Sequence, residues 1–118
     1  MRSYTGRVQK GDRRGTALGF PTANIAVPYM ELAGIYVAPV LVQGKEYGAA
    51  AFADQERGVL EAHLLDFSGD LYGKEITIRL LKKIRDSMRF SDDTALRAAI
   101  ADDVARVRVY FSSLKAHT

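Results

Sequence analysis

The chain has 118 residues, 47% of them hydrophobic and 26% charged, which is one domain of ordinary globular composition, able to bury a core without covalent staples. It contains no cysteine, so disulfides, thiolate catalysis and cysteine-held metals are excluded, and a reducing compartment suits it. A net charge of +3 is compatible with an anionic ligand without marking a nucleic-acid binder, and no apolar run approaches the roughly 18 residues of a membrane span.

At the start, Met1-Arg2-Ser3-Tyr4-Thr5-Gly6 lacks the apolar core of a signal peptide, so a cytoplasmic location is expected. Residues 5–9 are a short strand candidate. They run into Lys10-Gly11-Asp12-Arg13-Arg14-Gly15, whose glycines and charge read as an exposed loop. Residues 34–42 are apolar on both faces, with Pro39 arguing for a sheet edge or a bulge. Residues 46–53 form an alanine-rich strand candidate. Over residues 59–66 Leu60, Ala62 and Leu64 oppose Glu61 and His63, and over 75–81 Ile76, Ile78 and Leu80 oppose Glu75, Thr77 and Arg79. Such alternation marks half-buried antiparallel strands, joined here by a hairpin-type turn at residues 68–73.

The one helical period comes last. Leu96, Ile100, Val104, Val107, Phe111 and Leu114 recur at intervals of four, four, three, four and three, one apolar stripe on a helix from about residue 92 to 114. Ser91 is the expected cap, with Asp92 and Asp93 at the anion-favouring end of the dipole. Asp93–Arg97 and Asp102–Arg106 are i,i+4 pairs on the polar side. The expected architecture over residues 1–118 is a single all-β domain, antiparallel strands closed into a small barrel, with one C-terminal helix alongside.

Four segments carry residues suited to chemistry. Gly11, Arg14, Gly15 and Gly19 belong to a loop able to approach an anion and donate backbone N–H groups to phosphate, although it matches neither G-x-x-x-x-G-K-[ST] nor G-x-G-x-x-G. A basic surface loop is the plainer reading. Thr22 and Asn24, two residues apart on an extended strand, offer neutral oxygens that could hold Mg²⁺ beside a phosphate; a turn with an Asx-type bond is the simpler alternative. Glu61, a carboxylate in mid-strand, could take a proton from a substrate hydroxyl with His63 as partner, or could face solvent. Arg85, Met88 and Phe90 follow the best strand. They could pair with a phosphate or a carbonyl-rich ring and cover a flat ligand, or form a solvated loop beneath the helix.

In order and spacing these segments resemble the riboflavin kinase (flavokinase) family, found alone in eukaryotes and as the C-terminal half of bifunctional bacterial FAD synthetases. The resemblance runs through Gly11, Arg14, Gly15 and Leu18-Gly19-Phe20-Pro21-Thr22-Ala23-Asn24-Ile25, then Ala33-Gly34-Ile35-Tyr36-Val37-Ala38. It continues through Glu61-Ala62-His63-Leu64-Leu65-Asp66-Phe67, Asp70-Leu71-Tyr72-Gly73-Lys74, Ile84-Arg85-Asp86 and Phe90-Ser91. What it implies is a six-stranded antiparallel Greek-key β-barrel and an Mg²⁺-dependent transfer of the γ-phosphoryl of ATP to the 5′-hydroxyl of riboflavin, giving FMN. Carried over by position, Glu61 would be the general base. Gly11, Arg14, Gly15, Leu18, Gly19, Phe20, Pro21, Thr22 and Asn24 would hold nucleotide and phosphate, with Thr22 and Asn24 on the metal. Arg85, Met88 and Phe90 would border the flavin.

The implied partners are small molecules, riboflavin and ATP, without nucleic acid or membrane, acting on a monomer. Residues 51–58 are shorter than the family's segment at that place and lack its asparagine-glycine and proline-threonine pairs. This departure leaves a non-catalytic flavin- or nucleotide-binding module on the same barrel as the alternative. Nothing implies FAD synthesis by these residues alone. A barrel for single-stranded nucleic acid rests only on pI and fold analogy, and no strand presents a row of aromatics.

Overall fold

Residues 2–10 and 19–116, described in a computed structural model, form seven strands and one helix. The strands are β1 (Arg2–Arg7), β2 (Ala23–Ala26), β3 (Gly34–Val42), β4 (Lys45–Asp54), β5 (Val59–Leu64), β6 (Glu75–Leu80) and β7 (Lys82–Arg85). The helix α1 spans Asp93–Ala116.

Six strands lie in the order β1-β6-β3-β4-β5-β2, and β7 pairs with β3 off that path. β3, β4 and β5 are joined by tight hairpins, and β6 returns to lie beside β3. That is the Greek-key order. The two ends of the path approach one another where the Gln9 N–H donates to the Asn24 carbonyl at 2.8 Å, an isolated bridge that nearly closes the barrel. The expected six-strand barrel is therefore present, with β7 added where a loop had been expected.

Several local expectations change. Residues 68–73 do not close a hairpin, because β5 pairs with β4 and β2 while β6 crosses over to pair with β1 and β3. β1 begins and ends earlier than residues 5–9; Val8 still exchanges bonds with Lys74 and Gly73 just before β6, and Gln9 turns away to Asn24. Pro39 marks neither an edge nor a bulge of its own. β3 is central, paired with β4 on one side, and Pro39 falls where its other side changes partner, between Val37–Lys82 and Val40–Ile78. A residue without an N–H is tolerated at such an exchange.

Alternation fills the barrel. Ile25, Val40, Leu60, Ile76 and Ile78 are fully buried, and Ala38, Ala49, Ala51, Ala53 and Ala62 keep the facing positions small enough for a narrow interior. On the outer face Val37, Leu65 and Val107 make a second apolar cluster with Ile84, Val104 and Phe111, which docks α1. Gly48 lies beneath it; a Cβ there would come within 2.9 Å of the Phe111 ring. The cap of α1 is Asp92 rather than Ser91, its Oδ1 accepting the Ala95 N–H at 2.7 Å. Asp102 and Arg106 pair at 3.0 Å as expected, whereas Leu114, last of the stripe, is exposed.

Candidate active site

Strand register sets the site. Asn24 stands opposite Glu61, Glu61 opposite Phe52, Phe52 opposite Ile35, and Ile35 opposite Arg85. Directly paired residues project to the same side of a sheet. Because Ile25, Leu60 and Ala62 point into the barrel, this row lies on its outside. Residues far apart in sequence thus form one line: a buried amide, a carboxylate, an aromatic ring, an aliphatic chain and a cation.

A cleft of about 500 Å³ runs over this row from Glu61 to Arg85, between the outer sheet face and the start of α1. Phe52, Ile35 and Ala50 supply its floor, Leu96 and Ile100 its helical wall, and Met88 and Phe90 a further apolar border. A second cleft of about 430 Å³ lies on the other side of residues 21–24, bounded by Lys10, Phe67, Asp70 and Tyr72. Thr22 lines both. The two clefts therefore meet at Thr22, with Asn24 on the second and Glu61 on the first; the first sets an apolar floor suited to a flat ring among charged side chains, and the second offers Lys10 to an anion.

Glu61 is only 15% exposed, and its Oε1 accepts from Arg57 Nη1 at 3.2 Å. The same Arg57 nitrogen lies 3.4 Å from Asp54 Oδ2. The expected Glu61–His63 partnership is replaced by a different bond. His63 Nδ1 lies 2.8 Å from the Pro21 carbonyl, which can only accept, so this nitrogen carries the proton. Its ring also meets Phe20 edge-on at 5.5 Å. His63 therefore fastens residues 20–21, and with them Thr22, to β5. Gly19 enters this segment with φ at +93°, left-handed backbone that favours glycine.

The Thr22–Asn24 pair fits a hard cation by its donor chemistry. Asn24 is buried, and its Oδ1 has no hydrogen-bond partner among the described residues. A buried acceptor without a donor costs stability unless something else satisfies it. Thr22 is half-buried on the wall shared by the clefts. Among the described residues no cluster of three histidine, aspartate or glutamate side chains could hold a metal ion.

Arg85 borders the first cleft, with its guanidinium held by protein. Nε and Nη2 donate to the two Asp103 carboxylate oxygens at 2.8 Å each, and Nη1 to the Asp86 carbonyl at 3.1 Å. The Asp103 bond raises the Arg85 pKa above the ordinary arginine value, with burial opposing. Phe90 lies beneath the cation at 5.8 Å, and Met88 is 66% exposed at the cleft mouth. Arg85 thus offers a flat cationic surface and ties residues 85–90 to α1. Gly11, Arg14, Gly15 and Leu18 lie outside the described residues.

Three contributors were not foreseen. Asp103 follows Ile100 by three and precedes Val107 by four, so it falls on the apolar stripe; an acid there calls for a cation, a signal present in the sequence. Phe52 and Arg57 lie in the shortened segment and gave no local signal. The segment itself is the end of β4 and a tight turn, and Phe52, Asp54 and Arg57 all line the first cleft.

Residues 2–111 match the family model described as riboflavin kinase. A bifunctional riboflavin kinase/FMN adenylyltransferase of Escherichia coli K12 is 38% identical over 96% of this chain, and one of Pseudomonas fluorescens is 37% identical over 87%. The chain spans 39% and 36% of their respective lengths. The crystal structure of riboflavin kinase from Trypanosoma brucei superposes with a TM-score of 0.64 at 29% identity, covering 93% of this chain and 79% of that one. A structure titled macrolide-efflux protein from Streptococcus pneumoniae superposes with a TM-score of 0.79 at 30% identity, over 90% of this chain and 38% of that one.

Proposed function

The chain belongs to the riboflavin kinase family, and from that premise we propose that it transfers the γ-phosphoryl group of ATP to the 5′-hydroxyl of riboflavin, giving FMN and ADP. The observation that carries this reading is the cross-strand placement of Glu61 beside Asn24, each lining one of the two clefts that meet at Thr22. The isoalloxazine ring lies over Phe52 and Ile35, bordered by Arg85, Met88 and Phe90, and the ribityl chain leads its terminal hydroxyl to Glu61. The nucleotide phosphates occupy the cleft of Lys10 and Tyr72. Gly11, Arg14, Gly15, Leu18 and Gly19 are assigned to them on the resemblance.

Glu61 accepts the hydroxyl proton as the new oxygen–phosphorus bond forms and the bond from the γ-phosphorus to the β–γ bridging oxygen breaks, releasing ADP. Thr22 and Asn24 hold Mg²⁺, which when bound neutralises charge on the phosphate oxygens. His63 keeps Thr22 in place through Pro21. Phosphoryl transfer asks mainly for positioning and charge compensation, and a rigid sheet face supplies the first. On this reading residues 1–118 act as one domain, a cytoplasmic monomer working on two small molecules.

Purified protein given riboflavin, ATP and Mg²⁺ is expected to make FMN over many turnovers, followed by chromatography. Thr22→Ala is expected to raise the half-saturating concentration of Mg²⁺-ATP. Tight flavin binding without product would instead establish the non-catalytic module.

A further inference from the structure

We propose that Arg57 is the positioning residue of Glu61, an assignment that rests on the phosphoryl-transfer reading and adds to it a residue from the shortened hairpin. The turn between β4 and β5 is fixed from both sides. Within it, the Arg57 N–H donates to Asp54 Oδ1 at 3.2 Å, and Gly58 takes a φ of +64°. Outside it, Gln55 Nε2 donates to the carbonyls of Met30 and Glu31 at 3.2 and 3.1 Å, and the Gly58 carbonyl accepts from Val27 at 2.8 Å. The turn is a strut tied to residues 27–31, and it delivers the Arg57 guanidinium onto Glu61 Oε1 at 3.2 Å.

A glutamate in mid-strand has three rotatable bonds, and a general base has to stay within hydrogen-bond reach of one hydroxyl. A guanidinium is a rigid planar fork and fixes a carboxylate more narrowly than a mobile ammonium does. Arg57 is also shared with Asp54, so among the described residues one half-exposed cation contacts two largely buried carboxylates at the cleft rim. Anionic phosphates arriving at the junction add negative charge beside Glu61, and the same cation offsets it. In this chain the short turn thus orients the base in addition to bounding the ring cleft.

The test is a double-mutant cycle read as kcat and KM. Arg57→Met keeps the aliphatic stem and removes the ionic contact. It is expected to lower kcat by about ten-fold, the rate equivalent of one charge-assisted hydrogen bond, with KM for ATP, whose cleft Arg57 does not line, changed by less than about two-fold. Arg57→Lys is expected to recover most of that loss. In a Glu61→Gln background, Arg57→Met is expected to add less than about two-fold, because a residue acting through Glu61 has nothing left to position. A loss confined to KM, or one that persists undiminished beside Glu61→Gln, overturns the assignment. So does parental kcat in Arg57→Met. Should Arg57→Met not fold, Arg57→Gln and Arg57→Lys carry the same cycle. A parent that makes no FMN removes the functional reading and this inference together, whereas a working parent with an indifferent Arg57 removes this one alone.

Discussion

Asn24 is the residue whose local physics most asks for a ligand. Its Oδ1 is buried without a partner among the described residues, and an unsatisfied buried acceptor costs about 1–3 kcal/mol. Folding alone gains little from it. Asn24→Leu, which removes that acceptor at similar volume, is therefore expected to change unfolding free energy in chelator by no more than about 1 kcal/mol in either direction. The same variant is expected to lose FMN formation. Urea unfolding beside the turnover assay checks both halves; a large destabilisation with turnover retained would make Asn24 a structural residue. Glu61 lies at the other pole. It is bound by Arg57 already, so the proposal that it acts as the base rests on its placement more than on its exposure.

Among the elements, the Arg85–Asp103 pair does the most to shape the ring cleft. It joins the end of β7 to the middle of α1, and it carries residues 87–90 past the cleft mouth. Removing one partner of a fully buried ion pair costs about 3–5 kcal/mol, and Arg85 keeps some solvent access, so Asp103→Ala is expected to cost about 1–3 kcal/mol. KM for riboflavin is expected to rise more than KM for ATP, since the other cleft shares none of these residues; equal effects on both would contradict the assignment of the clefts. Denaturant melts and steady-state kinetics measure the two effects. The sequence made β5, β6 and α1 legible because periods of two and of three to four are visible in them. β7 was not legible. Lys82 and Lys83 are both exposed, so no alternation marks it, and only the free edge of β3 makes a strand of it. Asp103 was readable as an acid on an apolar stripe, but its partner depends on where β7 ends.

At the level of the whole molecule, the site is a line drawn across five strands, β2, β5, β4, β3 and β7, by pairing register. No local pattern announces such a line. Thr22, Asn24 and Glu61 could be named in advance through resemblance, whereas Phe52 and Arg57 joined them only once β4 was seen to lie between β3 and β5. Among the described residues no helix is long and apolar enough to cross a membrane, and the chain spans well under half of the bifunctional relatives it matches. The central claim is that the Glu61 carboxylate takes the proton from the accepting hydroxyl. Single-turnover formation of FMN by Glu61→Gln, with riboflavin affinity measured on the same protein by fluorescence quenching, addresses it most directly. The account predicts a rate lower by on the order of 10²–10⁴-fold with riboflavin affinity within about three-fold of the parent. An undiminished single-turnover rate at unchanged affinity would contradict it.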